Sequence, residues 1–123
     1  MTATEAATTM PRASAILEQL GGHHFRIMTG VKQVLLSDGT KDDPNPTIQM
    51  VLGEHEAGWH KLRVTLCDND LYKMEFWKKT GLEMLLAQEA GTLDPNDTRE
   101  FTHVYADQLQ AIFTEVTGMY THL

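Results

Sequence analysis

The chain has 123 residues, 41% of them hydrophobic, and 10 Lys and Arg against 17 Asp and Glu give it a formal charge of −7. That size and apolar content exclude global disorder and suit a single core, and the acidic balance sets nonspecific nucleic-acid binding, which draws on surplus Lys and Arg, at a disadvantage. The sole cysteine, Cys67, excludes an intramolecular disulfide and a cysteine-only zinc site within one chain, and fits a reducing compartment.

Met1 to Thr9 is rich in Ala and Thr around Glu5, with neither the basic region nor the apolar stretch of a secretory signal. Residues 1–10 are expected to be a disordered tail ahead of one α+β domain over residues 11–123. No apolar run approaches the roughly 18 residues of a membrane span, so no membrane contact is expected. Order is expected to begin near Pro11, which suits a first helical turn. Ala13, Ile16, Leu17 and Leu20 follow at helical spacing, and Gly21-Gly22 reads as the stop. From His23 to Thr29 the alternation of Phe25, Ile27 and Thr29 against His24, Arg26 and Met28 predicts a strand.

Val34 to Leu36 is a short apolar run, and Ser37 to Pro46, rich in Asp, Gly, Asn and Pro, reads as an exposed loop. Ile48, Met50 and Leu52 alternate with polar neighbours, as do Leu62, Val64 and Leu66, and then Tyr72, Met74 and Phe76. Asp68-Asn69-Asp70 turns the chain between the last two runs. Leu82 to Ala90 fits either a strand or a helix. After a loop from Asp94, Asp97 and Glu100 read as a capping box, Gly118 as a stop, and the span from about Thr98 to Thr117 as a long helix. Its stripe is Phe101, Val104, Tyr105, Leu109, Ile112, Phe113 and Val116, interrupted by Gln108.

Alternating strands with short connections predict an antiparallel sheet. The fold class is therefore α+β, a meander of five or six strands with a short N-terminal helix and a long C-terminal helix packed on one face.

Catalytic constellations are weak. His55-Glu56-Ala57-Gly58-Trp59-His60 resembles a zinc-protease helix, but its two His are five apart, which rotates the second by roughly 140° on a helix. Gly58 also argues for a loop. His23 and His24 point to opposite strand faces, His103 borders the last helix and His122 is terminal. Asp38, Asp42 and Asp43 lack calcium-loop spacing. Gly21-Gly22 and Gly30 lack a phosphate-loop pattern, and Ser14 and Ser37 sit in no nucleophile elbow. No catalytic residue, metal ligand or cofactor is assigned.

Binding signals are carried by aromatics and charge. Trp77 alternates out of phase with Tyr72, Met74 and Phe76, which places it on the wetter sheet face with Lys61, Arg63 and Lys73. Trp59 adjoins a loop and Tyr120 follows the helix stop. The basic group Lys61, Arg63, Lys73, Lys78 and Lys79 contrasts with the acidic stretch from Glu89 to Glu115, where Arg99 is the only Lys or Arg. The expected partner-binding residues are Trp59, Trp77, Tyr120, Asp107 and Glu115.

Leu20-Gly-Gly-His-His-Phe-Arg-Ile-Met-Thr-Gly30, Asp70-Leu-Tyr-Lys-Met-Glu-Phe76, Val104-Tyr-Ala-Asp-Gln-Leu109 and the terminal Thr117-Gly-Met-Tyr-Thr-His-Leu123 resemble a group of short proteins encoded by phages and prophages. The likeness spans most of the chain after Leu17, rests on strand and helix cues, and carries over no functional residue. It implies a phage or mobile-element origin. The loop around Asp42 to Pro46 and the stretch Gly91 to Thr98 are longer than the group's pattern, which marks them as places for what is particular to this chain.

The first functional expectation is a noncatalytic accessory protein, in the cytoplasm of a host cell, that binds a host protein and antagonises host defence. The defence role is by analogy with small acidic inhibitors. The alternatives are a phage structural or assembly component acting as a homo-oligomer, and a small metal-dependent enzyme using scattered His and Asp. No direct nucleic-acid partner is expected.

Overall fold

A computed structural model describes residues 11–121; the tail expected at residues 1–10 lies outside them, as do His122 and Leu123. The first helix, α1 (Pro11–Leu20), forms on the expected period, with Ala13, Ile16, Leu17 and Leu20 all buried. Gly21, at φ 122°, interrupts it for a single residue. A second helix, α2 (Gly22–Thr29), then takes the place of the predicted strand. Residues 25 and 29 share a face under both the helical and the strand period, so they could not tell the two apart. Ile27 could: it is 66% exposed, while Phe25 and Thr29 are buried. Thr29 Oγ1 donates to the Phe25 carbonyl at 2.6 Å, and Gly30 ends the helix in the left-handed conformation with its N–H on the Arg26 carbonyl.

Five antiparallel strands follow in meander order, β1 (Lys32–Ser37), β2 (Thr47–Val51), β3 (Lys61–Leu66), β4 (Tyr72–Trp77) and β5 (Thr98–Val104). The register lines Ile48, Val64 and Met74 across one row, and Met50, Leu62 and Phe76 across the next. All six are fully buried, which makes this the inner face. The loop between β1 and β2 closes on itself, Thr40 N–H donating to the Asp43 carbonyl at 2.6 Å and Asp43 N–H to Thr40 Oγ1 at 3.0 Å.

The long terminal helix is corrected. Residues 98–104 are β5, paired to β4, and the final helix, α4 (Leu109–Thr117), is only nine residues long. A bulge explains the misleading helical spacing. The β4–β5 register shifts between Tyr72 and Met74, where His103 adopts φ 56°. The extra residue turns Phe101 and Val104, three apart as on a helix, toward the same core. Asp97 and Glu100 accordingly form no capping box: Asp97 ends a short 3₁₀ turn and Glu100 stands opposite Glu75. The capping box lies elsewhere, at Thr80 and Glu83, and opens α3 (Gly81–Ala90), which settles the ambiguous segment as helix. Gly118 is the stop of α4, in the left-handed conformation.

The architecture is thus α+β, a five-stranded antiparallel sheet with four helices among the described residues. Phe25 of α2 meets Phe113 of α4 edge to face at 5.0 Å, and Phe113 meets Phe76 of β4 at 6.5 Å, so one aromatic column ties both helices to the sheet. The opposite sheet face is left uncovered by these helices. No helix among the described residues is long and apolar enough to cross a membrane.

Candidate protein-binding face

The outer sheet face is built by the residues that alternate with the core rows: Gln49 on β2, Lys61, Arg63 and Thr65 on β3, and Lys73, Glu75 and Trp77 on β4, all half-buried. Cross-strand register sets Lys61 beside Trp77 and Arg63 beside Glu75. The Lys61 ammonium lies 4.7 Å from the Trp77 ring centre and the Arg63 guanidinium 5.5 Å from it, so two cations share one indole. Arg63 is held from its other side by Gln49 Oε1, which accepts from Nε at 3.2 Å and from Nη2 at 3.1 Å. Lys73 faces Glu75 at 3.8 Å. Long cationic chains on a surface usually stay mobile; here register and the Gln49 bridge fix them, leaving a preorganised aromatic and cationic platform.

Beside this platform lies an open concavity of about 540 Å³ lined by Leu35, Asn45, Arg63, Cys67, Lys73 and Glu75, among others. The β1–β2 loop contributes Asp43 and Asn45 to its wall. Part of the β1–β2 loop therefore borders the outer face. Cys67, just past β3, is half-buried in the same wall.

The five expected partner-binding residues fall in separate places. Trp77 is on the outer face. Trp59 is 7% exposed and packs edge-on against Phe76 at 6.0 Å, so its ring is part of the core. His55 fixes the backbone that carries it: Nε2 accepts the Trp59 main-chain N–H at 3.1 Å, which assigns the proton to Nδ1, donating to the Gly53 carbonyl at 2.8 Å. Tyr120, 69% exposed, and Asp107 line one shallow groove of about 580 Å³ with Gln19, Gln110 and Thr114. Glu115 is exposed in another cleft, beside His55, Glu56 and Met119. Residues 52–60 are a loop, as the Gly58 argument requires. His23 and His24 are exposed on α2, and His103 sits on the β5 bulge. Among the described residues no three His, Cys, Asp or Glu side chains gather as a metal-binding group.

Two features escaped the sequence reading. Gln49 carried no signal, because its value lies in the cross-strand register that puts it beside Arg63. The outward leucines of α3 did leave one, the i, i+3, i+4 spacing of Leu82, Leu85 and Leu86, which was masked while that segment also fitted a strand.

Among the described residues, two ionisable groups are displaced. Burial, with the Asp70 carboxylate second, pushes the Tyr72 phenol above its ordinary value of 10.0. The hydrogen bond that the Lys79 ammonium donates to the Asp97 carboxylate raises Lys79 above 10.5, against an opposing effect of burial.

No family model matches the chain, and neither a curated protein nor a solved structure matches it.

Proposed function

We propose that this chain is a noncatalytic accessory protein of a phage or related mobile element, which binds a host protein on its outer sheet face and so antagonises host defence in the host cytoplasm. The observation that carries the reading is the half-buried Trp77 with Lys61 and Arg63 fixed over its ring. Interface hot spots draw on Trp and Arg that are already rigid, because little side-chain entropy is then lost on binding. The phage origin rests on the sequence resemblance, and the defence role on analogy. The partner that fits this platform presents carboxylates around an apolar centre, since the two cations retain N–H donors beside the indole.

The test is capture from host lysate on the immobilised chain, with a moderate salt wash. The expected result is one stoichiometric host protein, lost with Trp77→Ala and weakened with Arg63→Glu, while Tyr120→Ala retains it. An empty capture, repeated with infected lysate, overturns the reading, and so does a partner that Trp77→Ala leaves bound.

A further inference from the structure

The helix α3 departs from the pattern of its neighbours. On α1 and α4 the apolar stripe is buried against the core. On α3 it points outward: Leu82, Leu85 and Leu86 are 66%, 52% and 54% exposed, and Ala87 is its one buried residue. With Glu89 these leucines hold positions i, i+3, i+4 and i+7, a single face of the helix about 100° wide. Leu93, just beyond the Gly91 cap, is also exposed. The helix makes only slight contact with the other elements. Ten residues are too few to hold a helix firmly on their own, so a helix poorly supported by its own domain gains from a second surface.

We infer that two copies of this chain pair through the outward faces of α3, antiparallel, about a two-fold axis level with Met84, which sets Leu82 of one copy opposite Leu86 of the other. Charge selects both the occupant and the direction. Glu89 lies in the last turn, at the negative end of the helix dipole, and exposed Lys78 precedes the positive end. Each therefore opposes its own helix. A reversed second helix brings Glu89 to the partner's first turn, near its Lys78, and sets the three leucines of each copy against those of the other. A parallel copy would bring like charges together. A two-fold interface requires a patch complementary to itself, and this face meets that condition only when reversed. Lys79, the other cation before α3, is already neutralised by Asp97, whereas Lys78, whose ammonium lies 5.0 Å from the Trp59 ring centre, keeps its charge and its N–H donors for a partner carboxylate. The pairing uses none of the residues of the Trp77 platform and stands or falls independently of it.

Sedimentation equilibrium on the full chain tests the pairing. The wild type is expected to reach twice the 13.8 kDa of one chain at micromolar concentration. Leu85→Asp, at an exposed position, is expected to weaken association by about thirty-fold or more, while its thermal melt and circular dichroism match the wild type at concentrations low enough for both to be monomeric. Lys78→Glu and Glu89→Lys are each expected to weaken it, and the double variant to restore it. Trp77→Ala is expected to leave it intact. A wild type that stays monomeric at hundreds of micromolar overturns the inference, as does a dimer indifferent to Leu85→Asp. A double charge variant weaker than both single variants overturns the antiparallel arrangement.

Discussion

Lys79 and Asp97, eighteen residues apart, are joined by an ion pair between Nζ and Oδ2 that closes the root of the α3 excursion. The backbone adds a second tie one residue earlier, Lys78 N–H donating to the Asp97 carbonyl at 2.9 Å. Everything between β4 and β5 hangs from these two bonds and from whatever α3 itself contacts. Asp97→Asn removes the charge and keeps the backbone tie. It is expected to speed amide exchange across residues 80–96 while leaving β2 and β3 protected, because the sheet core does not depend on this pair. Exchange that quickens equally in β2 and β3 would show the arm and the sheet to open as one unit.

Gly53 has no positive φ, and a side chain there would still be obstructed, by the backbone at the end of α2. A Cβ at this position would stand 2.5 Å from the Thr29 carbonyl oxygen and 3.0 Å from that of Gly30, both backbone atoms at the end of α2. Neither can swing aside as a side chain would. Gly53→Ala is therefore expected to lower unfolding stability by about 1–3 kcal/mol through overpacking. Gly81→Ala is the control: its Cβ meets nothing within 4 Å, and its φ is not positive. There the substitution is expected to be neutral or to stabilise by up to about 1 kcal/mol, as alanine limits the unfolded chain. Urea midpoints of the two variants measure the contrast, and equal midpoints would remove the close-approach argument.

Asp38 docks α1 from a distance in sequence. Its carboxylate accepts the Ala13 N–H at 2.7 Å and the Arg12 N–H at 3.3 Å, which satisfies two donors of the first turn from the end of β1. Asp38→Ala is expected to destabilise the fold by about 1 kcal/mol, in the range of lost N-caps. Asp38→Asn keeps a neutral acceptor for Ala13 and is expected to lose less. Thermal melts of the two variants decide it; an Asp38→Ala melt equal to wild type would mean that water replaces the cap without loss.

These three contacts show what the sequence could and could not disclose. The strands β2, β3 and β4 were legible because one buried and one wet face imprint a two-residue period, and the Ile48–Val64–Met74 row follows from it. Where the period is ambiguous the reading fails for identifiable reasons. Phe25 and Thr29 satisfy either period, and the bulge at His103 gives a strand the three-residue spacing of a helix. Asp97 and Glu100 have the spacing of a capping box, but Asp97 is taken by Lys79, a tertiary contact with no local signature. The candidate face was legible at Trp77, Lys61 and Arg63 because strand alternation alone puts them together. Trp59 was not, since a loop residue has no period to reveal that His55 and Phe76 draw it inward.

Alkaline stability provides the pH test. Tyr72 is buried beside Asp70, so its phenol ionises at higher pH in the folded chain than in the unfolded one. Between those two values the unfolded chain binds fewer protons than the folded chain, and stability falls as pH rises. The contribution of Tyr72 is thus fully present below 10.0 and is lost as pH climbs through the raised folded value. Lys79 acts in the same sense: its ammonium is favoured in the fold by Asp97, fully so below 10.5, and the benefit disappears once it deprotonates. Urea midpoints measured from about pH 8 to about pH 11.5 are expected to decline through this window. Tyr72→Phe is expected to make the decline shallower, because the buried ring stays and the ionisable proton goes. Lys79→Gln is expected to remove the other share. A Tyr72→Phe profile parallel to wild type would mean that the phenol opens to solvent before it ionises, and that the alkaline loss begins at the root of α3.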